Sequence, residues 1–294
     1  MQVFITGGTG NIGSAVVAEL LRHDHGVAAL ARSDSSAAAA RAAGAAVVRG
    51  GLADLGAIRR AAEASEGVVH LAFGNDFSSP QALAADIAEE TAAIDTIGEA
   101  LIGSGRPFVI VSGTPAAPGR PSVETDPLPI DGPVGGRSAT VARALGLAAR
   151  GVRTAAVRLP RTVHRNGGGG FAGLLAQVAR QAGVAGYPGT GMQRWPAVHS
   201  LDAAVLFRLV LERAQAGTAW HAVADEGDVV KDIATVIGRK LGLEVQQVPV
   251  ETFGPIGPVF AADQPASSAI TRAELGWVPT RPSLLEDLEQ HLVA

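Results

Sequence analysis

Short apolar runs alternate with amphipathic stretches along the first half of the chain. The runs that predict strands are residues 2–6, 27–31, 45–50, 67–73, 107–113 and 154–160. The stretches that predict helices are residues 11–22, 35–43, 54–65, 81–103 and 137–150. Strands that are apolar throughout and separated by helices are typical of a parallel sheet covered on both faces. The pattern therefore predicts an α/β fold with a doubly wound parallel sheet.

The pattern becomes less regular after Pro160. A glycine run at 167–170 is followed by predicted helices at 171–182, 200–214 and 229–241, predicted strands at 220–225 and 244–250, and a closing helix. We expect residues 1–160 to form a first domain. Residues 161–294 are expected to form mainly a smaller C-terminal lobe, with segments that return to the core of the first domain.

Composition narrows the classes of function. The chain is 47% hydrophobic with a net charge of −4, which argues against binding to nucleic acid or to an anionic membrane surface. It has no cysteine, which excludes disulfides, thiolate catalysis and cysteine-ligated zinc. No set of histidines and carboxylates has the spacing of metal ligands, so no metal is expected. No apolar run approaches the ~18 residues of a membrane span, and residues 2–6 leave no room for a signal peptide, so we expect a cytoplasmic protein.

A glycine motif lies between the first predicted strand and the first predicted helix. Gly7, Gly10 and Gly13 form the pattern G-x-x-G-x-x-G at this turn. Such a turn presents backbone N–H groups and the positive end of the helix dipole to a pyrophosphate, which predicts a dinucleotide site in a Rossmann-type fold. The expected contacts in this turn are Gly7, Thr9, Gly10, Asn11, Ile12 and Gly13. The alternative is a glycine-rich turn without a ligand.

The end of the second predicted strand distinguishes the two nicotinamide dinucleotides. An acidic residue there would accept hydrogen bonds from the ribose hydroxyls and favour NAD(H), whereas an arginine can bind a 2′-phosphate. The chain has Arg32 and Ser33 at this point, about 20 residues beyond the glycines, so NADP(H) is favoured over NAD(H). Asp34 is the counter-argument, and a solvated surface role for Arg32 is the alternative.

Further segments carry a family resemblance. The order of TGGTGNIG, VVHLAF, FVIVSGT, VRLPRTVH, RWPAVHSLDAA and ITRAELGWVP resembles the extended and atypical short-chain dehydrogenase/reductases, which are NAD(P)-dependent epimerase/dehydratase-like proteins. The resemblance covers nearly the whole chain and implies a Rossmann-type sheet with a C-terminal substrate-binding lobe. It implies additional cofactor contacts from Leu52, Ala72, Phe73, Gly74, Ser112, Leu159, Pro160 and Val163. It also implies a possible homodimer, because helices 81–103 and 137–150 correspond to those that pair in many dimeric relatives.

The resemblance fails at the catalytic pair. Typical relatives begin the helix after the fifth strand with Y-G-R-S-K, in which the tyrosine donates a proton and the lysine binds ribose. The corresponding stretch here has Gly135 and Ala139 at the two catalytic positions. The one tyrosine of the chain is Tyr187 and its two lysines follow much later, at Lys231 and Lys240. The standard mechanism is therefore excluded.

Other residues are candidates to replace the missing pair. Thr114 follows the fifth strand and corresponds to the serine or threonine of relatives, while Arg161 and His164 follow the sixth strand, where ligands of parallel sheets bind. Histidine can donate a proton near neutral pH and arginine can stabilise an oxyanion. By resemblance, the substrate-binding candidates are Arg194, Trp195 and His199. Packing is the alternative for Trp195, and helix capping is the alternative for His199.

The sequence leaves three classes of function open. The leading hypothesis is an NADP-dependent oxidoreductase that acts on a small organic carbonyl or imine with a nonstandard proton donor. An imine can enter already protonated, which lessens the need for the tyrosine. The alternatives are a catalytically silent NADP-binding sensor and a nonredox isomerase or lyase that uses the same pocket.

Overall fold

The computed structural model describes residues 1–74, 76, 79–131 and 135–293. The strands are β1 (Gln2–Thr6), β2 (Gly26–Ala31), β3 (Ala46–Arg49), β4 (Gly67–His70), β5 (Pro107–Gly113), β6 (Arg153–Leu159), β7 (Thr162–His164), β8 (Ala185–Pro188), β9 (Arg194–His199), β10 (Thr218–His221), β11 (Asp225–Val229) and β12 (Val245–Val248). The helices are α1 (Asn11–Arg22), α2 (Asp34–Ala42), α3 (Leu55–Glu63), α4 (Pro80–Leu101), α5 (Gly135–Leu145), α6 (Gly170–Ala182), α7 (Ser200–Arg213), α8 (Val230–Leu241), α9 (Gly257–Ala261), α10 (Ala269–Leu275) and α11 (Leu284–His291). Two 3₁₀ helices occupy Gly146–Arg150 and Val250–Ile256.

A seven-stranded parallel sheet forms the centre of the fold, and helices flank it. Its strand order is β10-β6-β5-β4-β1-β2-β3. Strand β1 lies between β2 and β4, and the register pairs Val3 with Val27 on one side and with Gly67 on the other. The chain reverses direction across the sheet after β3, which makes the sheet doubly wound. The predicted fold class is confirmed.

The chain divides into two compact units. The first unit contains residues 1–112, 128–158 and 204–220, and the second contains residues 113–127, 159–203 and 221–294. Most of α7 and of β10 therefore belongs to the first unit, although both lie far beyond residue 160 in the sequence.

The core of the first unit follows the predicted periodicities. Helix α4 buries Ala93, Ile94, Ile97 and Leu101, which recur at the spacing of one helix face. They pack in a cluster with Phe4, Phe108 and other residues that point from β1, β4 and β5. Full burial of side chains of this size contributes about 1.5 to 3 kcal/mol each.

The second unit contains two small sheets, with strand orders β11-β9-β7 and β12-β8. Its core joins α6, α8 and α11 through a cluster that includes Trp195, Ile233, Phe260 and Leu288. The sequence did not predict β7, β8 or β9, and it predicted a single strand at 220–225 where β10 and β11 belong to different sheets. These strands are too short for a clear alternation of apolar and polar positions, and their partners lie far away in the sequence.

Strand β4 is shorter than its apolar run predicts. It ends at His70 because its neighbour β1 ends at Thr6, so residues 71–73 have no ladder partner on that side. Among the described residues, no helix is long and apolar enough to cross a membrane.

Candidate functional site

The turn from β1 to α1 can contain only glycine at two positions. A Cβ atom on Gly13 would lie 2.0 Å from the carbonyl oxygen of Gly7. Gly7 itself has a φ of 72°, and a Cβ there would lie 2.8 Å from the backbone nitrogen of Ala72. The two glycines thus allow the loop after β4 to lie directly against the turn, which places Ala72 beside the first turn of α1.

The first turn of α1 is open to an anionic ligand. Gly10 precedes the helix without any side-chain cap, and Thr9, Gly10 and Asn11 are exposed while Ile12 is half-buried. Gly10 donates its N–H to the oxygen of Gly7 at 3.1 Å, which closes the turn and leaves the helix-start amides pointing outward. Uncapped amides and the helix dipole fit a pyrophosphate.

Residues at the end of β4 form the side wall of this turn. The Thr6 hydroxyl accepts hydrogen bonds from the amides of Leu71 and Ala72, both at 3.3 Å, which fixes the path of the loop. Ala72 and Phe73 are half-buried and Gly74 is exposed. His70 is fully buried and its Nδ1 lies 2.9 Å from the Thr6 hydroxyl. Burial, aided by the charge of Arg137, lowers the pKa of His70 to about 3, so this histidine is a neutral part of the core.

The end of β2 carries an arginine that no described residue engages. Arg32 is exposed and forms no hydrogen bond or ion pair with the described part of the chain. Ser33 caps α2, since its hydroxyl accepts the amide hydrogen of Ser36 at 3.2 Å. Asp34 pairs with Arg49 at 2.7 Å, and Arg49 also donates to the carbonyl of Ser33. Arg49 therefore offsets the negative charge that was the counter-argument to NADP(H).

The helix start that lacks the catalytic pair is tightly packed. A Cβ on Gly135 would lie 2.1 Å from the carbonyl oxygen of Ile130, so the backbone leaves no room for a side chain there. Ala139 is exposed. Arg137 forms two hydrogen bonds of 2.7 Å with Glu90, a carboxylate that is 2% exposed, and its guanidinium lies 4.0 Å from the Phe73 ring centroid.

The remaining cofactor candidates lie at three strand ends. Leu52 is half-buried and packs against the core of the first unit, and Ser112 is half-buried near the end of β5. In the second unit Leu159 is half-buried while Pro160 and Val163 are buried. The structure therefore leaves Ser112 and Leu159 partly accessible at the carboxyl ends of neighbouring strands.

A backbone hydrogen bond joins Thr114 to the end of β6 in the second unit. The amide of Thr114 donates to the oxygen of Leu159 at 3.0 Å, which places Thr114 beside the residues that precede Arg161. Thr114 is 6% exposed, and its carbonyl accepts a hydrogen bond from Gln264. Its hydroxyl forms no hydrogen bond with the described residues, so it can serve a ligand.

Arg161 is a largely buried cation. One terminal nitrogen donates to the carbonyl of Val259 at 2.8 Å, and the guanidinium lies 5.4 Å from the ring centroid of Phe171. Its Nε is enclosed and has no acceptor among the described residues. Burial lowers the pKa of Arg161 to about 10, although Asp263 acts in the opposite direction.

His164 belongs to a buried hydrogen-bonded chain. It is 1% exposed and its Nδ1 donates to Asp287 at 2.9 Å. Asp287 also accepts from the amide of Gly167 and from His291 at the surface. Burial acts to raise the pKa of Asp287, but these hydrogen bonds outweigh it and lower the pKa. The other ring nitrogen of His164 has no partner in the described part of the chain.

The three substrate-binding candidates have different surroundings. Arg194 is half-buried and pairs with Asp263 through both carboxylate oxygens. Trp195 is fully buried in the core of the second unit, where packing is the role that its neighbours support. His199 stacks edge-on to His164, with ring centroids 5.4 Å apart, and burial lowers its pKa. Its Nδ1 accepts the amide hydrogen of Leu201, which is the capping contact weighed as its alternative.

Four partners were not identified from the sequence. Arg49, Asp263, Gln264 and Asp287 each complete a contact with a predicted site residue or its neighbour. None stands in a motif, and only their positions in the folded chain show their role. Within the described ranges, no group of three or more histidines and carboxylates could hold a metal ion.

An open glycine turn on the first strand and helix of a doubly wound parallel sheet defines a dinucleotide-binding α/β protein. The chain belongs to the NAD dependent epimerase/dehydratase family, whose profile matches residues 3–223. The resemblance to extended short-chain dehydrogenase/reductases is thereby confirmed.

Similar proteins extend over the full chain. An uncharacterised protein of Schizosaccharomyces pombe is 39% identical, and one of Saccharomyces cerevisiae is 41% identical, each over 98% of both chains. Among solved structures, UDP-glucose 4-epimerase from Thermotoga maritima has a TM-score of 0.80 at 21% identity and covers 99% of this chain and 97% of its own. The dTDP-glucose 4,6-dehydratase DesIV from Streptomyces venezuelae, solved with NAD bound, has a TM-score of 0.77 at 20% identity and covers 99% and 95%. At these identities the solved structures support the fold alone.

Proposed function

We propose that the chain is an NADP-dependent oxidoreductase that acts on a small organic carbonyl or imine without a tyrosine proton donor. The cofactor assignment rests on which charged side chains at the end of β2 are paired and which are not. Arg32 is exposed and engages no described residue, while Arg49 pairs with Asp34. A 2′-phosphate would supply an anion for Arg32, and the carboxylate of Asp34 is already held by Arg49.

The cradle for the rest of the dinucleotide fits the same proposal. The uncapped amides of α1 would bind the pyrophosphate, and Ala72 and Phe73 would line the adenosine side. When bound, NADPH supplies a hydride. The protein must therefore contribute substrate orientation and a hydrogen bond to the reacting atom.

Thr114 is the proposed hydrogen-bond donor to the substrate oxygen or nitrogen. Its hydroxyl has no partner among the described residues, whereas its backbone is held at both ends by Leu159 and Gln264. A fixed backbone with a free hydroxyl suits a preorganised donor. His164 remains the proposed proton source; Asp287 holds its Nδ1, so Nε2 is the atom that would exchange a proton.

The test is cofactor oxidation with a panel of ketones, aldehydes and cyclic imines, followed by absorbance with NADPH and NADH in parallel. We expect oxidation of NADPH in preference to NADH. Thr114→Val should lower kcat/KM by roughly tenfold to a thousandfold, because it removes one donor to the transition state. Thr125→Val, at an exposed threonine, is the matched control. His164→Gln should lower kcat if His164 supplies the proton.

One observation favours a second function. The closed helix start at Gly135 also fits a catalytically silent NADP-binding sensor. NADPH binding without turnover across the panel, together with a partner interaction that depends on NADP(H), would establish the sensor instead. A product of unchanged oxidation state would identify a nonredox isomerase or lyase.

A further inference from the structure

Arg161 is a half-buried cation, and no carboxylate among the described residues forms a hydrogen bond with it. Among the described residues its Nε–H meets no acceptor, and the hydrogen bond that it forms goes to a neutral carbonyl, that of Val259. A buried guanidinium normally pairs with a carboxylate, since an uncompensated charge in a poorly solvated site is costly. The Nε–H is enclosed, and the second terminal nitrogen has no acceptor among the described residues.

The nearest acidic group is already committed elsewhere. Asp263 accepts hydrogen bonds from Arg194 at 3.1 and 2.8 Å, in a fork that uses both of its oxygens, and it also accepts the backbone amide of Arg194. It acts on Arg161 only at a distance. Among the described residues, Arg161 and Arg194 therefore share one carboxylate, which leaves one positive charge over.

Building on the proposed function, we propose that Arg161 binds a carboxylate of the substrate, so that the substrate is an oxo acid or the corresponding imino acid. The backbone places Thr114 beside Leu159, two residues before Arg161, so a hydroxyl for the reacting oxygen and a guanidinium for the carboxylate follow neighbouring strands. A carboxylate can accept from the terminal nitrogen of Arg161 that has no described acceptor, and it neutralises the one surplus charge. A phosphate dianion would leave a net negative charge.

Packing alone does not account for Arg161. The Phe171 ring and the Val259 carbonyl would accept a methionine side chain of similar length, and Val259 is 39% exposed, so water can replace the donor to its carbonyl. If Arg161 served only the fold, we would expect a carboxylate of the protein to form an ion pair with it. A ligand-binding cation gains its counter-ion when the ligand arrives.

The experiment titrates short 2-oxo acids, their uncharged amides and inorganic phosphate into the full chain, with and without NADP, by calorimetry and thermal unfolding. We expect wild type to bind the acid roughly tenfold or more tightly than its amide. Arg161→Met should abolish this difference, and Arg161→Lys should keep part of it. Arg165→Met, an exposed arginine in the same segment, should retain it. Without ligand, Arg161→Met should unfold at the same or a higher temperature than wild type.

Equal binding of acid and amide, no binding of either, or tighter binding of phosphate would overturn the assignment. A structural role for Arg161 would be shown if Arg161→Met unfolds at a much lower temperature than wild type while every variant still binds the acid more tightly than the amide. Discrimination between acid and amide without any NADPH oxidation would reject the redox proposal but keep the carboxylate site. Reduction of neutral carbonyls without discrimination between acid and amide would keep the redox proposal but reject the carboxylate site.

Discussion

Replacement of Arg32 by alanine tests the cofactor assignment most directly. The side chain is exposed at the end of β2 and engages no described residue, so Arg32→Ala should change the free energy of unfolding by less than about 0.5 kcal/mol. Any effect on cofactor binding can then be assigned to a lost contact with the ligand. Substitutions of Gly7 or Gly13 could not separate the two effects, because an added Cβ would also disturb the packing of the turn.

The magnitude follows from the kind of contact that is lost. A hydrogen bond to a charged group contributes about 1.5 to 3 kcal/mol, and solvent exposure of Arg32 favours the lower end. Since about 1.4 kcal/mol is a factor of ten, the Kd for NADPH should rise roughly tenfold to thirtyfold. NADH lacks the 2′-phosphate, so its Kd should change less than about twofold. The ratio of the two constants is the quantity to compare.

The assay is a fluorescence titration of both reduced cofactors, with Arg41→Ala as the control for removing an exposed arginine nearby. Arg49→Ala provides an independent route to the same ratio. It releases Asp34, whose carboxylate then opposes a phosphate and can accept from ribose hydroxyls. Equal weakening of NADPH and NADH by Arg32→Ala would place this arginine on the part that both cofactors share. No change in either constant would refute the reasoning.

Three further changes have defined outcomes. Gly13→Ala should abolish NADP(H) binding, as measured by the same titration, because its Cβ would lie 2.0 Å from the oxygen of Gly7. Burial, aided by Asp225, raises the pKa of Asp228 from 3.8 to about 7, so the folded state keeps a proton that the unfolded state loses. Stability should fall as pH rises from 3.8 to 7, and Asp228→Asn should remove that slope in denaturant titrations and gain at most about 4 kcal/mol above pH 7. Asp287→Asn should lower the free energy of unfolding by about 3 kcal/mol, since it breaks a fully buried set of hydrogen bonds.

Each of these changes has a matched control. Gly146→Ala adds a methyl group where nothing lies within 4 Å and should leave binding intact. Asp131→Asn, at an exposed aspartate, should leave the pH slope unchanged. Glu289→Gln removes an exposed ion pair on the same helix as Asp287 and should cost less than about 1 kcal/mol. A flat pH profile in wild type, or equal effects of a change and its control, would contradict the corresponding prediction.

The parts of the fold that the sequence predicted best are those whose signals are local. β1, α1 and β5 have the predicted bounds, because continuous apolar runs, a glycine turn and helical periodicity mark them without reference to distant residues. The open turn before α1 was also predictable from local sequence, since Gly13 is required by its contact with the nearby Gly7. Doubly wound topology then follows from the alternation of such elements.

The second unit was harder to predict because its contacts are long-range. β9 was not predicted as a strand, although Arg194 and Trp195 were singled out, because its partners β7 and β11 are short and one pairing is irregular. The roles of Arg194 and His164 depend on Asp263 and Asp287, which lie 69 and 123 residues away in the sequence. Local sequence carries no signal for such pairs, so only the fold shows which candidate is committed and which is free.

The packing of the helix start at Gly135 excludes a larger side chain at that position. Gly135 lies against the carbonyl of Ile130, and Arg137 is held between Glu90 and the Phe73 ring. A tyrosine at position 135 would have to displace backbone, so restoring tyrosine and lysine at their family positions should fail to create the standard mechanism. The packing instead makes glycine a requirement of this helix start. In the proposed reaction, the proton or hydrogen bond would therefore come from other residues, and Thr114 and Arg161 each have a donor without an acceptor among the described residues.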